Sequence, residues 1–137
     1  MKSLIKKYES PKIIYKGSYP QVKLYEFYSQ GSVFILPSMQ DGFGMVIFQA
    51  MACGLPVILS ENTGAYDVVT KEGKEGFVIP IRSVDAIKEK IIFLYKNPKI
   101  CKKMGEEAKK RVLNGFSWDD YGNRYVKFLK EIKANNG

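Results

Sequence analysis

The chain concentrates its chemistry in one short stretch, Pro37-Ser-Met-Gln-Asp-Gly-Phe-Gly44, and in the apolar run that follows it to Gln49. Gly42 and Gly44 permit backbone geometries that other residues resist, and they let a ligand approach the main chain. A helix starting after them presents free N–H groups and the positive end of its dipole, which suits a phosphate or diphosphate. Two polar side chains frame this turn. Asp41 stands at its mouth, and Gln49 is the lone strongly polar residue among the 18 from Gly42 to Leu59. A buried amide without a partner costs roughly 1–3 kcal/mol. Gln49 therefore either bonds a nearby backbone carbonyl or faces a cleft and bonds ligand hydroxyls. A glycine-rich turn alone identifies nothing, because many such turns are only turns.

These residues need strands and helices to position them, and the sequence alternates between the two. Lys12–Tyr15 reads as a short strand ended by Gly17, and Lys23–Gln30 as a short helix with Leu24, Phe27 and Tyr28 on one side. Val33–Leu36 is a continuous apolar β-run stopped by Pro37. Gly44–Cys53 reads as a helix ended by Gly54, and Val57–Leu59 as a second apolar strand. Ala65–Thr70 is expected to be a short helix, and Phe77–Ile79 a third strand between Gly76 and Pro80. Ser83 is a plausible N-cap for a helix up to Tyr95, with Asp85 in its first turn. Ile100, Met104, Ala108 and Val112 mark a second amphipathic helix. Ser117 opens a third, with Trp118, Tyr121, Tyr125, Phe128 and Ile132 on one face. That aromatic face packs either on the chain's own sheet or on a surface outside this chain.

Short, fully apolar strands between helices imply an α/β fold: a Rossmann-like parallel sheet with helices on both faces. About four strands are expected, which is small for a doubly wound sheet. Ligands of such sheets sit at the carboxyl ends of the strands. That directs attention to the loops at Gly17, Pro37–Gly44, Ser60–Gly64 and Pro80.

Composition narrows the classes. The chain has 137 residues, 45% of them hydrophobic, so one folded domain with its own core is expected. It contains no histidine, which removes the commonest general base and metal ligand. Cys53 and Cys101 lie far apart without a CxxC pair, so a disulfide framework is not expected and a reducing, cytoplasmic setting is. Met1–Glu9 is polar and basic, so no signal peptide is expected. The 18 residues from Gly42 to Leu59 are long enough for a marginal membrane span, but Gly54-Leu55-Pro56 breaks them into a buried helix and a buried strand. The formal charge is +8, with 14 of the 22 Lys and Arg between Arg82 and Lys133. Either these are solvated helix surfaces or they face an anionic partner. Neither RNP-like aromatics nor zinc-finger spacing is present, so no nucleic-acid partner is expected.

The residues also carry a resemblance. Phe34-Ile-Leu-Pro-Ser38, Asp41-Gly-Phe-Gly44 and Gln49-Ala-Met-Ala-Cys-Gly-Leu-Pro-Val-Ile58 resemble the signature of retaining glycosyltransferases of the GT-B fold, specifically family 4, also called group 1. Ile14-Tyr-Lys-Gly17, Leu24-Tyr25, Gly31-Ser-Val-Phe34, Glu75-Gly-Phe-Val-Ile-Pro80 and Phe116-Ser-Trp118 resemble further parts of the same domain. The resemblance implies the C-terminal, donor-binding half of a GT-B fold, spanning residues 1–137 as a single, partial domain. A C-terminal helix over 113–133 would cross to an N-terminal acceptor domain.

By the same resemblance, the donor is a UDP-sugar or GDP-sugar, and a sugar moves to an acceptor hydroxyl with retained anomeric configuration. The acceptor is a saccharide or lipid-linked saccharide, as in polysaccharide, lipopolysaccharide or glycolipid synthesis. No cofactor or metal is implied. Asp41 takes the catalytic, sugar-contacting position. Gly17, Ser38, Gly42, Phe43, Gly44, Met45 and Val46 line the donor, with Gln49 on the ribose hydroxyls. The chain departs from the pattern at both acidic positions, since the family carries Glu where Asp41 and Gln49 stand. Asp41 is shorter by a methylene. Gln49 offers one acceptor oxygen and an NH₂ in place of a carboxylate. The family's basic pair on the diphosphate has no convincing match, and Lys6, Lys7 and Lys16 are weak candidates. Two other readings stay open: a nucleotide-sugar-binding or interaction module without activity, and a dinucleotide-binding Rossmann unit. Ile47 stands against the latter, where a third small residue would be needed, although Glu61 imitates its ribose-binding acid. A basic surface would suit peripheral contact with the inner face of a membrane.

Overall fold

A computed structural model describes residues 10, 12–69 and 73–135. Its centre is the strand β2, Val57–Ser60, whose four residues are all buried. A strand apolar on both faces must be covered on both, and β2 is. Val57 and Leu59 enter one core cluster with Ile47, Met51 and Ala108. Ile58 turns the other way, onto Phe77, Ile79, Leu94 and Met104. β2 pairs in parallel with β1, Phe34–Leu36, on one side and with β3, Gly76–Ile79, on the other. The sheet order is β1-β2-β3. Phe34 stands beside Val57, and Val57 beside Gly76.

Gly76 has no freedom to change. A Cβ there would stand 2.1 Å from the Val57 carbonyl oxygen, so the close approach of β3 to β2 requires glycine. α1, Leu24–Tyr28, follows a 3₁₀ turn at Gln21–Lys23. α2, Met45–Ala52, joins β1 to β2. α2 ends as its sequence anticipates. Gly54 takes φ 83°, the Gly54 N–H reaches the Met51 carbonyl at 2.8 Å and the Leu55 N–H reaches Ala50 at 3.1 Å, which together make a Schellman turn.

Three helices follow β3. α3, Val84–Lys96, starts at Ser83, whose hydroxyl accepts the Ala86 N–H at 3.3 Å. α4, Pro98–Leu113, packs on α2, and here too glycine is required. A Cβ on Gly105 would come within 2.1 Å of the Gly54 oxygen. α5, Trp118–Asn135, opens with a reciprocal cap: the Asp120 N–H donates to the Ser117 hydroxyl at 3.1 Å, and the Ser117 N–H to the Asp120 carboxylate at 3.0 Å.

Four sequence expectations change. Lys12–Tyr15 is not a strand. Its ordered pairing is an isolated bridge between Ser10 and Ile13, and Ile13, Ile14 and Tyr15 are all exposed. An apolar run becomes a strand only beside a partner ladder, and among the described residues none lies beside this one. The sheet therefore has three strands among the described residues, where about four were expected. Ala65–Thr70 is a 3₁₀ turn at Tyr66–Val68, with Thr70 outside the described residues. The C-terminal helix begins at Trp118, because Leu113 closes α4 and Gly115, at φ 108°, turns the chain between the two. The aromatic face of α5 does not pack on the sheet, since no residue of that helix is buried. The stretch Gly42–Leu59 divides into α2 and β2. Among the described residues no helix is long and apolar enough to cross a membrane.

Candidate donor site at the carboxyl ends of the strands

The loop from Pro37 to Gly44 leaves the carboxyl end of β1 and turns into α2. Gly44 makes the turn. It is the N-cap of α2 with φ 69° and ψ 49°, a left-handed conformation that costs an L side chain energy. No side chain caps this end. The Ile47 N–H reaches the Gly44 oxygen at 2.8 Å, so the N–H groups of Met45 and Val46 are the ones left free by position. Gly42 lies beside them with nothing within 4 Å of where its Cβ would stand. The backbone from Gly42 to Val46 is thus open on one side, with the dipole end of α2 behind it.

Asp41 is tied into the loop from three directions. Its carboxylate accepts the Phe43 N–H at 3.1 Å, an Asx turn that bends the chain toward Gly44. Its own N–H donates to the Asn62 carbonyl at 3.2 Å, and its carbonyl accepts the Gly64 N–H at 3.0 Å. The loop after β2 therefore buttresses the loop after β1, through a bridge between Asp41 and Thr63. A Cβ on Gly64 would meet the Gly42 carbonyl oxygen at 2.0 Å, so Gly64 is what allows the two loops to touch. Beneath them, the Ser60 hydroxyl donates to the Ser38 carbonyl and stands 3.2 Å from the buried Thr63 hydroxyl.

Gln49 is half-buried on α2. Its Oε1 accepts the Tyr28 hydroxyl at 3.4 Å, which leaves the NH₂ end to face elsewhere. Burial holds the Tyr28 phenol above its ordinary range, and the nearby Cys53 pushes the same way, so Tyr28 stays a donor at neutral pH. The partner of Gln49 within the chain is thus a phenol on α1 rather than a backbone carbonyl. Phe43 is exposed and stacks on Phe48 with ring centroids 5.2 Å apart, and Phe48 contacts Phe116 at 5.5 Å.

Gly17 also has a left-handed φ, 74°, and open space surrounds the position of its Cβ. Lys16 stands 6.0 Å from the Phe27 ring on α1, while Lys6 and Lys7 lie outside the described residues. Glu61 accepts the Ile81 N–H at 3.4 Å and so holds the loop after β3.

Three residues at the loop carry no signal of it in the sequence. Tyr28 reads there only as part of a helix face. Gly64 closes the Ser60–Gly64 loop and has no local signal of its own. Arg82 sits after β3 with φ 58°, the one non-glycine residue with positive φ among those described. Its Nε approaches the Met39 sulfur at 3.4 Å, and it lines a cavity of about 240 Å³ with Pro37, Met39 and Ser60. A cation thus reaches the rim of the loop from the far edge of the sheet.

A parallel sheet with a glycine-opened helix at its carboxyl end is a Rossmann-like α/β arrangement. The family is more definite. Residues 1–111 match the family model of glycosyl transferases group 1, and the chain belongs to that family. It is 38% identical over 112 residues to the capsular polysaccharide biosynthesis glycosyltransferase CapM of Staphylococcus aureus, covering 79% of this chain and 29% of that protein. Sucrose-phosphate synthase of Thermosynechococcus elongatus superposes with a TM-score of 0.83 at 25% identity, over 98% of this chain and 34% of the other. Anabaena HepE, described in complex with UDP-glucose, has the same fold with a TM-score of 0.69 at 20% identity, over 77% of this chain and 29% of that one. The chain thus spans about a third or less of the length of these proteins, and the architecture it shares with them is GT-B.

Proposed function

We propose that this chain binds a nucleoside diphosphate sugar at the Pro37–Gln49 turn and serves as the donor half of a retaining glycosyltransferase. The observation that carries the reading is the left-handed Gly44 at the start of α2. It leaves an uncapped helix end beside the open backbone of Gly42. There the N–H groups of Met45 and Val46 receive the diphosphate, with Arg82 adding positive charge on the rim. Asp41, fixed by its bond from the Phe43 N–H, presents its second oxygen to a hydroxyl of the sugar. Gln49 and Tyr28 together meet the ribose, the amide NH₂ donating and the phenol oxygen accepting. Ser38 and Phe43 line the approach, and Gly17 borders the nucleotide.

In the transfer, the bond from the anomeric carbon to the diphosphate breaks, a bond to the acceptor oxygen forms on the same face, and the hydroxyl proton of the acceptor passes to the departing diphosphate. Negative charge grows on the leaving diphosphate, where the helix end stabilises it. The acceptor, a saccharide or lipid-linked saccharide, approaches from a further domain, to which the aromatic face of α5 crosses.

Titration calorimetry with UDP, UDP-glucose and a GDP-sugar tests the reading. One of these binds the chain weakly. Gly44→Trp abolishes binding and Asp41→Ala weakens the sugar nucleotide more than the bare nucleotide. EDTA leaves the affinity unchanged. Equal binding by both variants, or none by the parent chain, refutes the site.

A further inference from the structure

The amino ends of the strands, opposite the glycine loop, carry a second feature. A groove of about 780 Å³ opens there between the start of β2 and the α3–α4 corner. Its apolar walls include Leu55, Pro56, Ile91 and Tyr95, while Lys102 and Lys109 stand on its rim. Tyr95 is 85% exposed and Ile91 40% exposed, so apolar surface faces water without cover. The two helices that form the corner carry nine Lys and Arg against four Asp and Glu over Val84–Leu113. Two of the four acids are already paired, Glu89 with Lys90 and Glu107 with Lys110. A third, Glu106, lies in the groove itself between the two lysines in sequence.

We infer that this α3–α4 corner is a docking face for an anionic lipid bilayer, with Tyr95 and Ile91 entering the interface and the lysines meeting the headgroups. An apolar patch flanked by two lysines, Lys102 and Lys109, on helices that carry a net positive charge matches that surface on both counts. Tyrosine and lysine each combine an apolar stem with a polar tip, the form that settles at a membrane interface. A basic residue near an anionic surface adds about fivefold in affinity. A second copy of the chain is disfavoured, because each copy would bring the same positive rim to the contact. The face lies at the opposite end of the sheet from Gly42–Gly44, so docking leaves the donor loop free. The inference does not rest on the donor reading, and the two fail separately.

The test is co-sedimentation of the 137-residue chain with vesicles of phosphatidylcholine alone or mixed with phosphatidylglycerol. The chain binds the mixed vesicles, and binding falls as salt rises. Lys102→Glu with Lys109→Glu weakens binding about thirty-fold or more. Tyr95→Ser with Ile91→Ser also weakens it, at unchanged circular dichroism. Lys127→Glu with Lys130→Glu, on α5, removes as much charge elsewhere and has a much smaller effect. Three results overturn the inference: no binding to the mixed vesicles, equal loss from the α5 pair, or self-association of the chain that the Tyr95 and Ile91 changes abolish.

Discussion

Gly64 holds more of the candidate site than its type suggests. Its missing side chain lets the loop after β2 lie against the Gly42 carbonyl, where a Cβ would stand 2.0 Å from the oxygen. That neighbour is backbone and cannot swing aside. Gly64→Ala is expected to cost about 1–3 kcal/mol in thermal unfolding and to weaken donor binding with it. Gln49→Glu is the opposite kind of change. A carboxylate at that position still accepts the Tyr28 hydroxyl and can also accept from both ribose hydroxyls. Donor affinity should rise about tenfold, and the gain should vanish with a 2′-deoxynucleotide, by calorimetry. Gly42, Gly44, Asp41 and Gln49 were legible in the sequence because their types are unusual where they stand. Gly64 and Arg82 were not, because their importance comes from a neighbouring loop that sequence distance hides. Tyr28 illustrates the same limit: its partner Gln49 lies 21 residues away.

Among the elements, the start of α5 shows how little sequence a helix end needs. Ser117 and Asp120 cap one another, and bonds from Ser117 hold the Asp120 carboxyl below its ordinary range. A depressed carboxyl stabilises the helix start at every pH above the ordinary carboxylate range, and that support is lost as pH falls through the depressed value. Helicity by circular dichroism should therefore hold from neutral pH down to about pH 4 and decline below it. Asp120→Asn should remove this acid dependence of the helix start. The caps at Ser83 and Ser117 and the turn at Gly54 were readable, since each is a local pattern. So were β1, β2 and β3, whose apolar runs admit little else. Lys12–Tyr15 has the composition of a strand as good as β1, yet a strand is a relation between two segments, and its own sequence holds only one of them.

At the scale of the whole molecule, the α3–α4 corner and the α5 face are both uncovered among the described residues. The α3–α4 corner is basic and grooved. The α5 face is aromatic, with Trp118 82% exposed and Tyr125 54% exposed. Because α5 buries none of its residues, Trp118→Ser with Tyr125→Ser should shift the stability of this chain by no more than about 0.5 kcal/mol. The same pair should impair association with a neighbouring domain, measured by pull-down against the remainder of a longer group 1 protein. A large loss of stability in the isolated chain would mean that the face is packed after all, and the proposed crossing would fall.

The left-handed turn at Gly44 also limits which mutations can reach this site. One base change in a glycine codon leads to Ala, Ser, Cys, Val, Asp, Glu, Arg or Trp, but never to Asn. Of the reachable residues, aspartate best tolerates a φ of 69°. The atom in its way, the Ile47 methyl 2.7 Å from a Cβ, ends a flexible side chain and can move. Gly44→Asp is thus the accessible change most compatible with folding, and it sets a negative charge where a diphosphate should rest. Random mutagenesis screened for folded but non-binding variants should recover it ahead of its neighbours at that codon.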